Sequence, residues 1–109
     1  MYLCLIVRPD GKYLKKWGGT GNWKGKFRYP IAIAIDNSNY VYVADYHNHR
    51  IHVFTLEGKF VTSWGKFGSK EGEFKGPMDI AIDGNNNIYV VDEYNSRIQK
   101  FKIKIEPKK

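Results

Sequence analysis

Pro30-Ile31-Ala32-Ile33-Ala34-Ile35-Asp36, then Tyr42-Val43-Ala44-Asp45, then Asn48-His49-Arg50-Ile51-His52-Val53-Phe54 form the stretch that decides the fold, because it returns 47 residues later. Its second copy reads Pro77-Met78-Asp79-Ile80-Ala81-Ile82-Asp83, Tyr89-Val90-Val91-Asp92 and Asn95-Ser96-Arg97-Ile98-Gln99-Lys100-Phe101. Upstream, Gly11-Lys12, Trp17-Gly18, Gly21, Gly25 and Phe27 recur as Gly58-Lys59, Trp64-Gly65, Gly68, Gly72 and Phe74. Between 11–54 and 58–101, 20 of 44 positions are identical, far more than unrelated segments share, so the chain contains a duplication. A fixed period of this size marks a solenoid or propeller, whose units bury their apolar faces only against one another.

Within one unit the apolar residues sit in short runs rich in β-branched and aromatic types: 31–35, 40–44, 51–54 and 59–64. Turn formers separate them, namely Asp36-Asn37-Ser38-Asn39, His47-Asn48-His49 and Glu57-Gly58, and this punctuation predicts four antiparallel strands per unit. Pro30 and Pro77 open the first strand of each unit, where a missing N–H is tolerated. In the second unit the corresponding strands are expected at 78–83, 88–92 and 97–104, without a fourth. Strands at 2–7 and 12–17 read as the last two of a preceding unit.

Composition bounds the class. The chain has 109 residues, 42% apolar and 16% aromatic, enough for a packed core rather than a disordered segment. No apolar run approaches the ~18 residues of a membrane span, and the opening residues carry no basic region before a short apolar stretch. The expectation is a protein without signal peptide or transmembrane segment, cytoplasmic if anything. The lone Cys4 excludes an internal disulfide and reads as a small core residue. The net charge of +7 is concentrated in residues 1–30, where seven basic residues face Asp10 alone. Such a local field attracts polyanions, although lysine on loops and strand edges also serves solubility.

Pro-x-x-Ile-Ala-Ile-Asp, Tyr-Val-x-Asp-x-x-Asn-x-Arg-Ile-x-x-Phe, Gly-Lys and Trp-Gly together resemble the NHL repeat, the unit of NHL β-propellers. The resemblance runs from Gly11 to Phe101 and implies an all-β fold of four-stranded antiparallel blades. About two blades are present: 1–29 as the end of one blade plus a linker, 30–76 as a full repeat, and 77–109 as a repeat lacking its last strand. A propeller closes with 4 to 8 blades. The expectation is therefore either part of a longer chain or a homo-oligomer, with a trimer giving six blades at the cost of one duplicated third strand.

Candidate chemistry is sparse. His47 and His49 do not supply the three or four ligands that zinc requires, and the second copy has Tyr94 and Ser96 there. Asp36, Asp45, Asp83 and Asp92 recur at turns, with Asn48 and Arg50, or Asn95 and Arg97, three and five residues after the second Asp of each copy. This pattern suits carboxylates that cap backbone and pair with Arg, hence a structural motif rather than a catalytic one. No catalytic residue, metal or cofactor is expected. The glycines around 18–25 lack the Lys-Ser/Thr ending of a phosphate loop.

Binding residues are better represented. The recurring Trp17/Trp64 and Phe27/Phe74 read as core, which leaves Trp23, Tyr29 and Phe67 as unrepeated aromatics beside Lys24, Lys26 and Arg28. Tyr46, His47, His49 and Tyr94 form a second candidate contact set after the second strand. By resemblance, NHL propellers act mostly as platforms for protein partners, and in TRIM-type ubiquitin ligases the propeller also binds single-stranded RNA. The expected function is a noncatalytic protein-binding platform, with RNA as second reading and a channel-centred lyase or hydrolase as third.

Overall fold

The computed structural model describes residues 3–7, 13–18 and 27–105, and all of it is β-structure with short turns. Among the described residues nine strands form three antiparallel sheets: β1 (Leu3–Val7) with β2 (Tyr13–Gly18); β3 (Pro30–Ile35), β4 (Val41–Asp45), β5 (Arg50–Phe54) and β6 (Phe60–Trp64) in that order; and β7 (Pro77–Ile82), β8 (Ile88–Asp92) and β9 (Arg97–Phe101). Each sheet is a meander of sequential neighbours, the arrangement of a propeller blade.

The duplication is exact at the level of register. Ile33 faces Val43 and Ile35 faces Val41 in the first blade, as Ile80 faces Val90 and Ile82 faces Ile88 in the second. The β1–β2 hairpin repeats β5–β6 in the same way: Cys4 opposes Trp17 as Ile51 opposes Trp64, and both ladders slip after the second residue further on, between Ile6 and Val7 and between Val53 and Phe54. Thus β1 and β2 have the pairing register of the third and fourth strands of the four-stranded sheet.

The turns explain the boundaries. Between the first two strands, Asp36 accepts Ser38 N–H at 2.8 Å, Tyr40 N–H at 3.0 Å and the Tyr42 hydroxyl at 2.9 Å; Asp83 serves Asn85, Asn87 and Tyr89 likewise. Burial and then Asp36 push the Tyr42 hydroxyl pKa up. The turn after β5 contains Gly58 at φ 88, and its counterpart in the second copy is Ile105. A β-branched residue resists that left-handed conformation. Residues 102–105 form neither strand nor turn, and β9 ends at Phe101, opposite the first residue of β8, as β5 ends at Phe54 opposite Val41, rather than at 104 as the sequence pattern suggests.

Face-to-face packing of the two blades makes the larger core. From the first blade come Tyr42, Ala44, Ile51 and Val53; from the second come Ile80, Ile88 and Val90, with Phe74 from the connecting segment. Trp64 lies across this seam, its ring 6.5 Å from that of Tyr42 and 5.2 Å from that of Phe101. Phe27, Val41, Val43 and Phe54 form a second core on the opposite side of the first blade.

Candidate functional site

Each blade is locked by one fully buried carboxylate at the end of its second strand. Asp92 accepts Lys75 N–H at 2.7 Å, the Asn95 amide at 2.7 Å and Arg97 Nε at 3.0 Å. Arg97 then spends its other nitrogens on the carbonyls of Ser69, Lys70 and Glu73, so one side chain clamps the loop that joins the blades. Asp45 similarly accepts the backbone N–H groups of Arg28 and Tyr29 and the Asn48 amide. Its further partner departs from expectation: His52 Nε2, not Arg50, lies 3.2 Å from Asp45 Oδ2, with both side chains fully buried. The imidazole fills the position that Gln99 occupies in the second copy, whereas Arg50 Nε has no hydrogen-bond partner. Burial pushes the Asp45 carboxyl up, but His52, Tyr29 N–H, Asn48 and Arg28 N–H together outweigh it and hold the pKa below its ordinary value.

These carboxylates position a surface rather than face one. After Asp45 the chain makes a tight turn, Tyr46–Asn48, and leaves it through His49 at φ 54; after Asp92 it turns through Glu93–Asn95 and leaves through Ser96 at φ 50. The turns of both blades and the segments preceding β3 and β7 lie at one end of the sheets. Tyr46 N–H donates to the Tyr29 carbonyl at 2.9 Å, and Tyr94 N–H to the Lys75 carbonyl at 3.0 Å.

The two aromatic sets of the sequence, separated there by up to 65 positions, meet here. The Tyr29 ring lies 5.9 Å from Tyr46 and 5.1 Å from His47, and Tyr46 lies 6.3 Å from Tyr94. The Tyr46 hydroxyl donates to the Glu93 carboxylate across the blade junction, and that bond, more than any other cause, pushes the tyrosine pKa up. Tyr94 is 69% exposed and Tyr29 40%. On the flank, Phe67, 65% exposed, stands edge-on to His49 at 4.9 Å, and Lys75 Nζ lies 5.4 Å from the Phe67 ring centre. His49 Nδ1 accepts Gly76 N–H at 3.1 Å, a bond between blades that requires the neutral ring. Burial and then His47 hold the His49 pKa below its ordinary 6.5. Glu93 was not foreseen as part of this surface, since only the packing of the two blades brings it to Tyr46. Arg28 is exposed beside Tyr29; Trp23, Lys24 and Lys26 lie outside the described residues.

Among the described residues no three His, Cys, Asp or Glu side chains gather as a metal site, and no helix is long and apolar enough to cross a membrane. No curated protein matches the chain. The family model of the NHL repeat matches residues 27–54 and again 74–101, the span from Phe27 or Phe74 to the end of the third strand in each copy. With register, buried carboxylate and blade packing repeated over those two matches, the chain belongs to the NHL-repeat family and its sheets are propeller blades.

Proposed function

We propose that the chain is a noncatalytic binding platform for protein partners, and that its contact surface is the aromatic face of Tyr29, Tyr46, His47 and Tyr94 with His49 and Phe67 on its flank. The observation that supports this reading is the continuity of the face across the blade junction, where exposed rings are held at fixed distances by hydrogen bonds. Tyrosines fixed in this way present large amphipathic area with little side-chain entropy left to lose, as interface hot spots do. The carboxylates that acid–base chemistry would draw on are instead engaged in structure: Asp45 and Asp92 are fully buried, and Asp36 and Asp83 hold turns.

The test compares the wild-type chain with Tyr29→Ser, Tyr94→Ser and the double variant as immobilised bait. A partner captured by the wild type and lost by the double variant, with unchanged melting temperature, supports the reading; capture indifferent to all three variants refutes it.

Single-stranded RNA is the second reading, favoured by Lys75 over the exposed Phe67 ring and by the neighbouring exposed Lys66 and Lys70. Aromatic stacking beside cations is the chemistry of such binding. It predicts affinity for a labelled oligonucleotide that falls steeply with salt and falls again in Phe67→Ala.

A further inference from the structure

The same repeat position has opposite burial at the two open sides of the blade pair. Ile80, on the second blade's face toward the first, is 7% exposed, whereas its counterpart Ile33 is 55% exposed. Ile51, on the first blade's face toward the second, is fully buried, whereas its counterpart Ile98 is 66% exposed. One outer face therefore shows Ile31, Ile33 and Ile35 in a row along β3, and the other shows Ile98 beside Tyr89 and Val91, which β-pairing places on the same side. The junction inside the chain already shows what covers each: a surface of the second type packs on a surface of the first.

We propose that these two faces bind each other between copies of this chain, the β7–β9 face of one copy seated on the β3 row of the next. The contact is head-to-tail and repeats the internal blade junction. A heterologous contact closes into a ring when the rotation permits, and two blades per chain reach six, within the range at which propellers close, with three copies.

Two positions bring charge that the internal junction lacks: Asp79 stands where the first blade has Ala32, and Lys100 where it has Val53, with Lys100 Nζ 5.7 Å from the Tyr89 ring centre. These charges make the contact weaker than the internal one, so the association depends on concentration.

The experiment is light scattering on the full chain over a hundredfold dilution, with Ile33→Glu and Ile98→Glu studied alone and mixed. Both side chains are more than half exposed in the single chain, so the substitutions leave its fold intact, which circular dichroism checks. If either variant unfolds, Ile35→Glu or Val91→Glu replaces it. The wild type is expected to exceed the 12.7 kDa of one chain and to approach three times that mass. Each variant alone is expected at the mass of one chain, and the equimolar mixture, in which one intact face of each type remains, at the mass of two. A wild type that stays at one chain throughout overturns the proposal. So does an assembly that survives either substitution, or a mixture that remains monomeric.

Discussion

Asp45 and His52 meet at 3.2 Å with neither side chain exposed to solvent, and this contact replaces, in the first blade, the Asp92–Arg97 contact of the second. Removing Asp45 leaves His52, the Asn48 amide and two backbone N–H groups without their acceptor. Loss of one partner from a buried polar cluster costs about 3–5 kcal/mol. Asp45→Ala is therefore expected to lose that much in urea unfolding, and Asp45→Asn less. A loss below about 1 kcal/mol would contradict the role assigned to this carboxylate.

The same residue has a pH consequence. Its folded pKa lies below the ordinary 3.8, so the ionised form stabilises the fold above that value and the stabilisation disappears as pH falls through the folded pKa. Wild type should lose stability more steeply than Asp45→Asn below about pH 4, read as melting temperature against pH.

Arg50 and Arg97 occupy the same repeat position, and their substitutions are expected to differ. Arg97 bonds Asp92 and three loop carbonyls, whereas Arg50 Nε has no partner. A charged hydrogen bond to a partly buried partner contributes about 1.5–3 kcal/mol. Arg97→Ala should cost in that range and Arg50→Ala clearly less. Arg97→Lys should not restore the loss, because an ammonium cannot span the planar array. Equal costs for the two alanine variants, in parallel denaturation curves, would contradict the asymmetry.

This difference between repeats also shows how far the residues alone are legible. Strands, turns and period follow from local signals: alternation in Ile31–Ile35, Asp36 and Asp83 at turns, and Pro30 and Pro77 at strand starts. Partner choice does not. Asp45 is followed by Arg50 as Asp92 is by Arg97, so the motif reads identically; only the position of His52, two residues further along β5, decides which cation-forming group reaches the carboxylate. The aromatic face was half legible. Tyr29, Phe67, Tyr46, His47, His49 and Tyr94 stand out as unrepeated or turn-borne aromatics, but their union depends on how one blade packs on the next, and Glu93 enters only through that packing. The end of β9 at Phe101 was hidden for a simpler reason: Lys102–Ile105 alternates like a strand, yet β8 offers no residue beyond Ile88 to pair with it.

Gly65 sits where the first blade hands over to the connecting loop, at φ 104. A Cβ there would lie 2.6 Å from Phe74 Cδ2 and 2.9 Å from the His49 carbonyl oxygen. Phe74 is fully buried and cannot retreat. Gly65→Ala thus combines a strained backbone with overlap in a packed core, at about 1–3 kcal/mol for the overpacking alone. The midpoint of urea unfolding should drop accordingly, while Gly84→Ala, where an added Cβ meets nothing within 4 Å, should be close to neutral.

His49 links the blades only while its Nδ1 is unprotonated, because that atom accepts Gly76 N–H. Its folded pKa is depressed from 6.5, by burial first and by His47 second, against the opposing pull of Asp45 and Asp92. Above 6.5 the ring is neutral folded or unfolded, and the bond is intact. As pH falls below 6.5 the unfolded chain takes up the proton first, so stability declines until the folded ring also titrates. Protonation then breaks the Gly76 bond, and the Phe67 ring that stands edge-on to His49 loses a fixed neighbour. Between pH 7.5 and 5.5 the wild type should lose melting temperature, and His49→Asn, which tolerates the left-handed backbone and does not titrate, should lose less. Identical slopes for the two proteins would show that the blade junction is indifferent to the charge of His49.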